Sequence, residues 1–222
     1  MKLFALSDTH GLHRFVKVPD ADILVFAGDL MNTGYHYSEA KSFADWWNEL
    51  PHRYKILIAG NHDRQFESNK RICLDYFKDT IYLEDSGVTI GGVHFWGSPY
   101  QPEFFNWAFN RRRGSDIKTH WDKIPLDTDV LITHGPPAGI LDNTGDAWKS
   151  ERVGCADLLE RVRLVKPSVH IFGHIHYGNL FGNGIERGAE ELARTEFHNV
   201  SICSESYEPV NQPRLIDVNK KG

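Results

Sequence analysis

Five short apolar runs, at residues 3–6, 23–27, 56–59, 130–133 and 169–172, each give way within a few positions to aspartate, asparagine or histidine. Asp8 and His10 follow the first and Asp29 the second; Asn61, His62 and Asp63 follow the third, His134 the fourth, and His174 and His176 the fifth. The runs are too short for helices and rich in branched residues, so they predict buried strands. Helical spacing lies between them: Phe43, Trp46, Trp47 and Leu50 after a capping Ser38, and later Leu158, Leu159, Val162 and Val165. Strands alternating with helices predict an α/β core, and the carboxyl ends of parallel strands share one edge of a sheet. Ligand-type side chains far apart in sequence are therefore expected to converge on one crevice.

The chemistry of the converging side chains narrows what they can do. They offer nitrogen and oxygen donors without thiolate, a set suited to Mn, Fe, Zn, Ni or Co in a working site and unlike a structural zinc cage. Cys73, Cys155 and Cys203 are odd in number and widely spaced, which predicts buried free thiols and no disulfide framework. Taken singly, Asp8 with His10, or Gly28 with Asp29, is ordinary loop and turn chemistry. Asn61-His62-Asp63 and His174-Ile175-His176 are harder to explain as caps, because a His-x-His at a strand end points both imidazoles to one side. Glycines before Asp29, Asn61 and His174 would let tight turns aim those side chains at a common point.

A second texture occupies the middle of the chain. Residues 88–90 and 93–96 around Gly91-Gly92 read as an antiparallel hairpin. Residues 98–123, with Pro99, Pro102, crowded aromatics and Arg111-Arg112-Arg113, read as a long irregular insertion of the functional kind. The glycine-rich stretch 178–188 lacks nucleotide-cradle spacing and is expected to be a loop. No linker divides the 222 residues, so one domain over 1–222 is expected. The net charge of -5 argues against an extended nucleic-acid surface. No apolar run approaches the roughly 18 residues of a membrane span, and residues 1–10 leave no room for a signal peptide, so the expected location is the cytoplasm, away from membranes.

The ordered blocks Asp8-Thr9-His10, Gly28-Asp29, Gly60-Asn61-His62-Asp63, His134 and Gly173-His174-Ile175-His176 resemble those of the calcineurin-like metallophosphoesterase superfamily. The likeness is closest to its metallophosphoesterase-domain-containing subfamily, through residues 58–62, 107–110, 133–137 and 172–178, and it runs on to the tail at 207–213. The resemblance implies two packed mixed β-sheets flanked by helices. It also implies two divalent transition-metal ions, Mn being the first choice. Asp8, His10, Asp29 and His176 would hold one ion; Asn61, His134, His174 and the bridging Asp29 would hold the other. Where many members carry a second aspartate three positions after the bridge, this chain has Asn32.

Such a site implies a phosphohydrolase, most simply a phosphodiesterase on small phosphodiesters or cyclic nucleotides, in which a metal-bridging hydroxide attacks phosphorus. His62 would protonate the leaving group, with Asp63 orienting its ring. Phe104 and Trp107 are expected to face a nucleobase, Asn61 to contact substrate, and one of Arg111, Arg112 and Arg113 to reach phosphate. A small phosphorylated substrate is the expected partner. Phosphomonoesterase, protein phosphatase, nuclease and a nucleotide-binding scaffold with little turnover are the rival readings, because one fold hosts all of them.

Overall fold

A computed structural model describes residues 1–145, 151–176, 184–188 and 190–220. The strands, in chain order, are β1 (Lys2–Leu6), β2 (Ile23–Ala27), β3 (Tyr54–Ile58), β4 (Thr80–Tyr82), β5 (Ser86–Ile90), β6 (Val93–Ser98), β7 (Gln101–Pro102) and β8 (Asn110–Arg111). They continue with β9 (Val130–Thr133), β10 (Asn143–Thr144), β11 (Glu151–Arg152), β12 (Val169–Phe172), β13 (Ile185–Arg187), β14 (Glu196–Asn199) and β15 (Arg214–Asp217). The helices are α1 (Tyr37–Glu49), α2 (Arg64–Leu74), α3 (Ser115–Trp121) and α4 (Ala156–Val165).

The five apolar runs become β1, β2, β3, β9 and β12. One sheet has the order β15-β1-β2-β3-β4, parallel except for β15; the other has the order β13-β14-β12-β9-β6-β5, parallel except at its two edges. β2 is buried at all five positions because both faces of its sheet are covered, the usual reason for a continuous apolar run. The sheets pack on each other through Leu3, Val25, Ile56, Val130 and Ile171. Phe43, Trp47 and Phe66 bring α1 and α2 onto the outer face of the first sheet; Ile117, Trp121, Leu158 and Val162 bring α3 and α4 onto that of the second. The result is the expected sandwich of two mixed sheets between helices.

Local details depart from the sequence reading in three places. Ser38 does not cap α1: the helix starts at Tyr37, His36 holds the cap position, and the Glu39 carboxylate instead accepts the backbone N–H groups of Asn32 and Thr33 at 2.7 and 2.9 Å. The insertion 98–123 is not irregular throughout, since β7 pairs with β8 and α3 closes it against α4. Within the glycine-rich stretch, residues 178–183 lie outside the described residues, and 185–187 form β13 and not a loop. The hairpin at Gly91-Gly92 is present, with φ of 57° and 82° supplying the left-handed pair that a two-residue turn demands. Cys73, Cys155 and Cys203 are free and buried.

Candidate metal centre

Because β1, β2 and β3 run parallel in one sheet and β9 and β12 in the other, the loops after all five strands open on one edge of the sandwich. Backbone bonds lash them together: Asp8 N–H donates to the Gly28 carbonyl at 2.9 Å, His10 N–H to Asp29 at 3.2 Å, and Gly173 N–H to His134 at 2.9 Å. Asp8, His10, Asp29 and His174 all take left-handed φ values, between 43° and 68°. Such backbone is costly for non-glycine residues, about 1 kcal/mol or more each, and clusters where function demands a fixed direction. Gly60 and Gly173 are required by close approach: a Cβ would lie 2.3 Å from Asp29 Oδ1 in the first case and 2.0 Å from Asp8 Oδ2 in the second. Their φ values are not left-handed, so they admit carboxylates and not the turns expected of them.

The ligand-type atoms meet in two adjoining groups. Asp8, His10 and His176 form one; Asp29, His134 and His174 form the other, with the atoms of each within 4.8 Å of one another. Asp29 Oδ2 lies between them, 3.4 Å from His134 Nε2 and 3.9 Å from His10 Nε2. Asn61 Oδ1 is 2.8 Å from His134 Nε2, which places it on the second group. All seven residues that the resemblance nominated are thus brought together. A third grouping adds His62 to His10 and Asp29, which places its ring beside the centre.

Supporting bonds fix which atoms point inward. His134 Nδ1 donates to the Ala27 carbonyl and His176 Nδ1 to the Ser204 carbonyl, both at 3.0 Å, so each Nε2 is left facing the centre as a lone-pair donor. Asp8 receives the His174 N–H on both oxygens, at 3.1 and 3.0 Å, and the Ser201 and Ser7 hydroxyls on Oδ2. Burial works to raise the Asp8 carboxyl, but His176 and His134 hold it below the usual carboxylate range. Asp29 likewise stays well below that range, its burial outweighed by His134 and His62. Burial pushes His174 down to about 3, helped by His134, and His10 down to about 4.

Two buried carboxylates, Asp8 and Asp29, face histidines and no lysine or arginine among the described residues, and a cation held by those same histidines would meet their charge. His10 Nε2 and His176 Nε2, only 3.1 Å apart, also leave each other little to share but a proton. Nitrogen and oxygen donors in this arrangement fit two divalent transition-metal ions.

The comparisons agree with that geometry. Residues 1–178 match the family model of the calcineurin-like phosphoesterases. The chain belongs to that family. It is 38% identical to human "Metallophosphoesterase domain-containing protein 1", over 98% of this chain and 71% of the relative. It is also 35% identical to the "UPF0046 protein K07C11.7" of Caenorhabditis elegans, over 100% of this chain and 76% of that one. Among solved structures, TT1561 of Thermus thermophilus shares the fold with a TM-score of 0.58 at 16% identity, covering 89% of this chain and 88% of that one. Membership implies two divalent ions and metal-dependent phosphoester hydrolysis. No described helix is long and apolar enough to cross a membrane.

The calcineurin-like centre opens into a cavity of about 280 Å³ whose lining includes Asn61, His62, Phe104, His174, Glu205 and Tyr207. His62 Nδ1 donates to the Asn32 carbonyl, while its backbone N–H donates to Asp29 Oδ1 at 2.8 Å. Asp63 does not orient this ring. Its buried carboxylate accepts the N–H groups of Asp29 and Gly60 on Oδ2, at 2.9 and 2.7 Å, and of Met31 on Oδ1 at 2.9 Å, so it ties the β2 and β3 loops together. Burial and the neighbouring charge of Asp29 push the Asp63 carboxyl up, while the N–H groups of Met31 and Gly60 work the other way and favour the carboxylate. Trp107 does not line the cavity; it stacks on His62 at 4.1 Å and meets the Arg64 guanidinium at 4.7 Å.

The three arginines are also elsewhere. Arg111 lies over Tyr100 at 4.4 Å and bonds His120; Arg113 donates to the carbonyls of Val153 and Gly154; Arg112 is exposed, its N–H held by Asp116. Arg113 ties the 98–123 segment to the chain leading into α4, Arg111 holds the segment's own Tyr100 and His120 and pairs with Glu67 of α2, and none of the three lines the cavity. Tyr207, whose ring stands 4.7 Å from His10 and 5.4 Å from His176, opens the tail that carries the resemblance, but its sequence position gives it no role at the site. Glu205, Thr144 and the serines on Asp8 were not singled out from sequence; only the position of Ser7, next to Asp8, gave any hint.

Proposed function

We propose that this protein is a phosphodiesterase for small, singly charged phosphodiesters, cyclic nucleotides among them, and that Mn is its preferred metal. One observation carries the preference for diesters. Apart from the nominated ligands and His62, the described residues around the cavity supply Phe104, Thr144, Ile175, Glu205 and Tyr207, and no lysine or arginine. A monoester or polyphosphate brings additional negative charge that Glu205 would repel, whereas a diester brings one charge for the ions to neutralise. The bound ions would supply an activated water and charge stabilisation at phosphorus.

The remaining work falls to the chain. His62, with Nδ1 committed to the Asn32 carbonyl, presents Nε2 and can deliver a proton to a departing alkoxide. Trp107 keeps that ring in place by stacking, and Phe104, half-exposed at the cavity rim, offers an apolar face to the leaving group. The test is a panel of cyclic nucleotides, nitrophenyl diesters and the matching monoesters, assayed with Mn. Diester kcat/KM should exceed the monoester value by roughly tenfold or more, and Glu205→Gln should narrow the gap. A monoester preference that survives Glu205→Gln would overturn the proposal.

A further inference from the structure

A second cavity lies at the other end of the sandwich. The apolar core between the sheets draws side chains from β1, β2, β3, β5, β6, β9, β12 and β15, but none from β13 or β14. Those two strands form the last hairpin of the larger sheet, and β15 is the edge of the smaller one, so the hairpin overhangs an open seam. His198 is in register with Ile171, a member of the interlayer core, and with Ile185, so all three face the same side. The space beneath is a cavity of about 1050 Å³ with Val169, Ile185, His198 and Ile216 among its walls. It touches the amino-terminal ends of β12 and β14, whereas the metal ligands follow carboxyl ends.

Two features of this cavity point to a ligand. His198 is only 2% exposed, yet among the described residues neither ring nitrogen has a hydrogen-bond partner, its one polar contact being Glu196 Oε2 at 3.6 Å from Nε2. Around the mouth the charges do not cancel. Glu191 is already paired with Arg163, and Glu196 with Arg187, while Lys166, Arg194 and Lys220 have no ion pair among the described residues, and Asp217 is the one acid left opposite them. Apolar walls, an unspent imidazole N–H and a surplus of cations together suit a molecule with an apolar body and an acidic head.

We propose that this seam binds a single-chain amphipathic anion, its chain lying against Val169, Ile185 and Ile216 and its acidic head held by His198 and the cationic rim. The test is calorimetric titration of the intact protein with decanoate, decanol and decyltrimethylammonium, all below their micelle concentrations. Decanoate should bind saturably at one per chain, and decyltrimethylammonium roughly tenfold or more weakly. Lys166→Glu and Arg194→Glu should each weaken decanoate by about threefold to tenfold, leave decanol unchanged and leave Mn-dependent hydrolysis intact. Equal binding of the anion and the cation, or decanoate binding that both substitutions leave unchanged, would overturn the proposal. The comparison of ligand charges needs no variant, so it decides the matter even if a substitution prevents folding.

Discussion

Asp63 offers a sharp test of how the centre is built, because its carboxylate carries three buried backbone N–H groups and touches none of the nominated ligand side chains. In Asp63→Ala all three donors lose their acceptor at a fully buried position. Buried unsatisfied donors cost ~1–3 kcal/mol each and local relaxation recovers part of that, so a loss of about 3–5 kcal/mol is expected. Asp63→Asn is different. Its amide oxygen can replace Oδ2 and keep the bonds from Asp29 and Gly60, but its NH₂ then faces the Met31 N–H, donor against donor. That variant should lose ~1–3 kcal/mol. Urea unfolding in the presence of a chelator isolates these losses from metal binding. Because Asp63 fixes the backbone of Asp29, both variants should also weaken Mn binding, by roughly 10- to 100-fold. If Asp63→Ala unfolds at the same urea concentration as the unaltered chain, or binds Mn equally well, the role assigned to Asp63 is wrong.

Two other substitutions probe separate parts of the molecule. His62→Gln should keep its metal yet lose roughly 10²-fold in kcat on diesters with alkyl leaving groups, and much less on nitrophenyl diesters, whose leaving group needs no proton; equal losses on both would remove His62 as the acid. His170, buried beside Phe172 and Phe197, has its pKa pushed down by burial to about 3, so it stays neutral in the folded protein while the unfolded chain protonates near 6.5. The unfolded state then binds the extra proton below that pH, and the unaltered chain should lose stability relative to His170→Phe by up to ~1.4 kcal/mol per pH unit between 6.5 and 3. A stability difference that does not change with pH would contradict this assignment.

The strands and the ligand positions were legible because both rest on local patterns. A short branched run such as 23–27 can satisfy its burial only as an interior strand, and a chain of parallel strands must present its carboxyl ends together. The roles of Trp107, Asp63 and the arginines were not legible, since they depend on which neighbour reaches a side chain first. Trp107 looks like a base platform in sequence, but His62 stacks on it at 4.1 Å. Arg111 and Arg113 look like phosphate ligands, but Tyr100, His120 and the carbonyls at 153 and 154 engage them. Asp63 follows His62 directly, yet its carboxylate turns to backbone donors in the loops after two neighbouring strands, β2 and β3. Tyr207 and Glu205 come to the cavity from the far end of the chain, and no spacing rule links them to Asp8 or His62. The strained backbone at Asp8, His10, Asp29 and His174 is equally invisible in sequence, although it is what aims those side chains.

The central claim is that two ions share Asp29, and metal stoichiometry tests it most directly. Protein stripped of metal and then titrated with Mn should bind about two ions per chain. His10→Ala, which removes a ligand from one group only, should retain close to one tightly held ion, whereas Asp29→Ala should weaken both. Full activity with a single bound ion, or an Asp29→Ala variant that still binds two ions as tightly as the unaltered chain, would contradict the account.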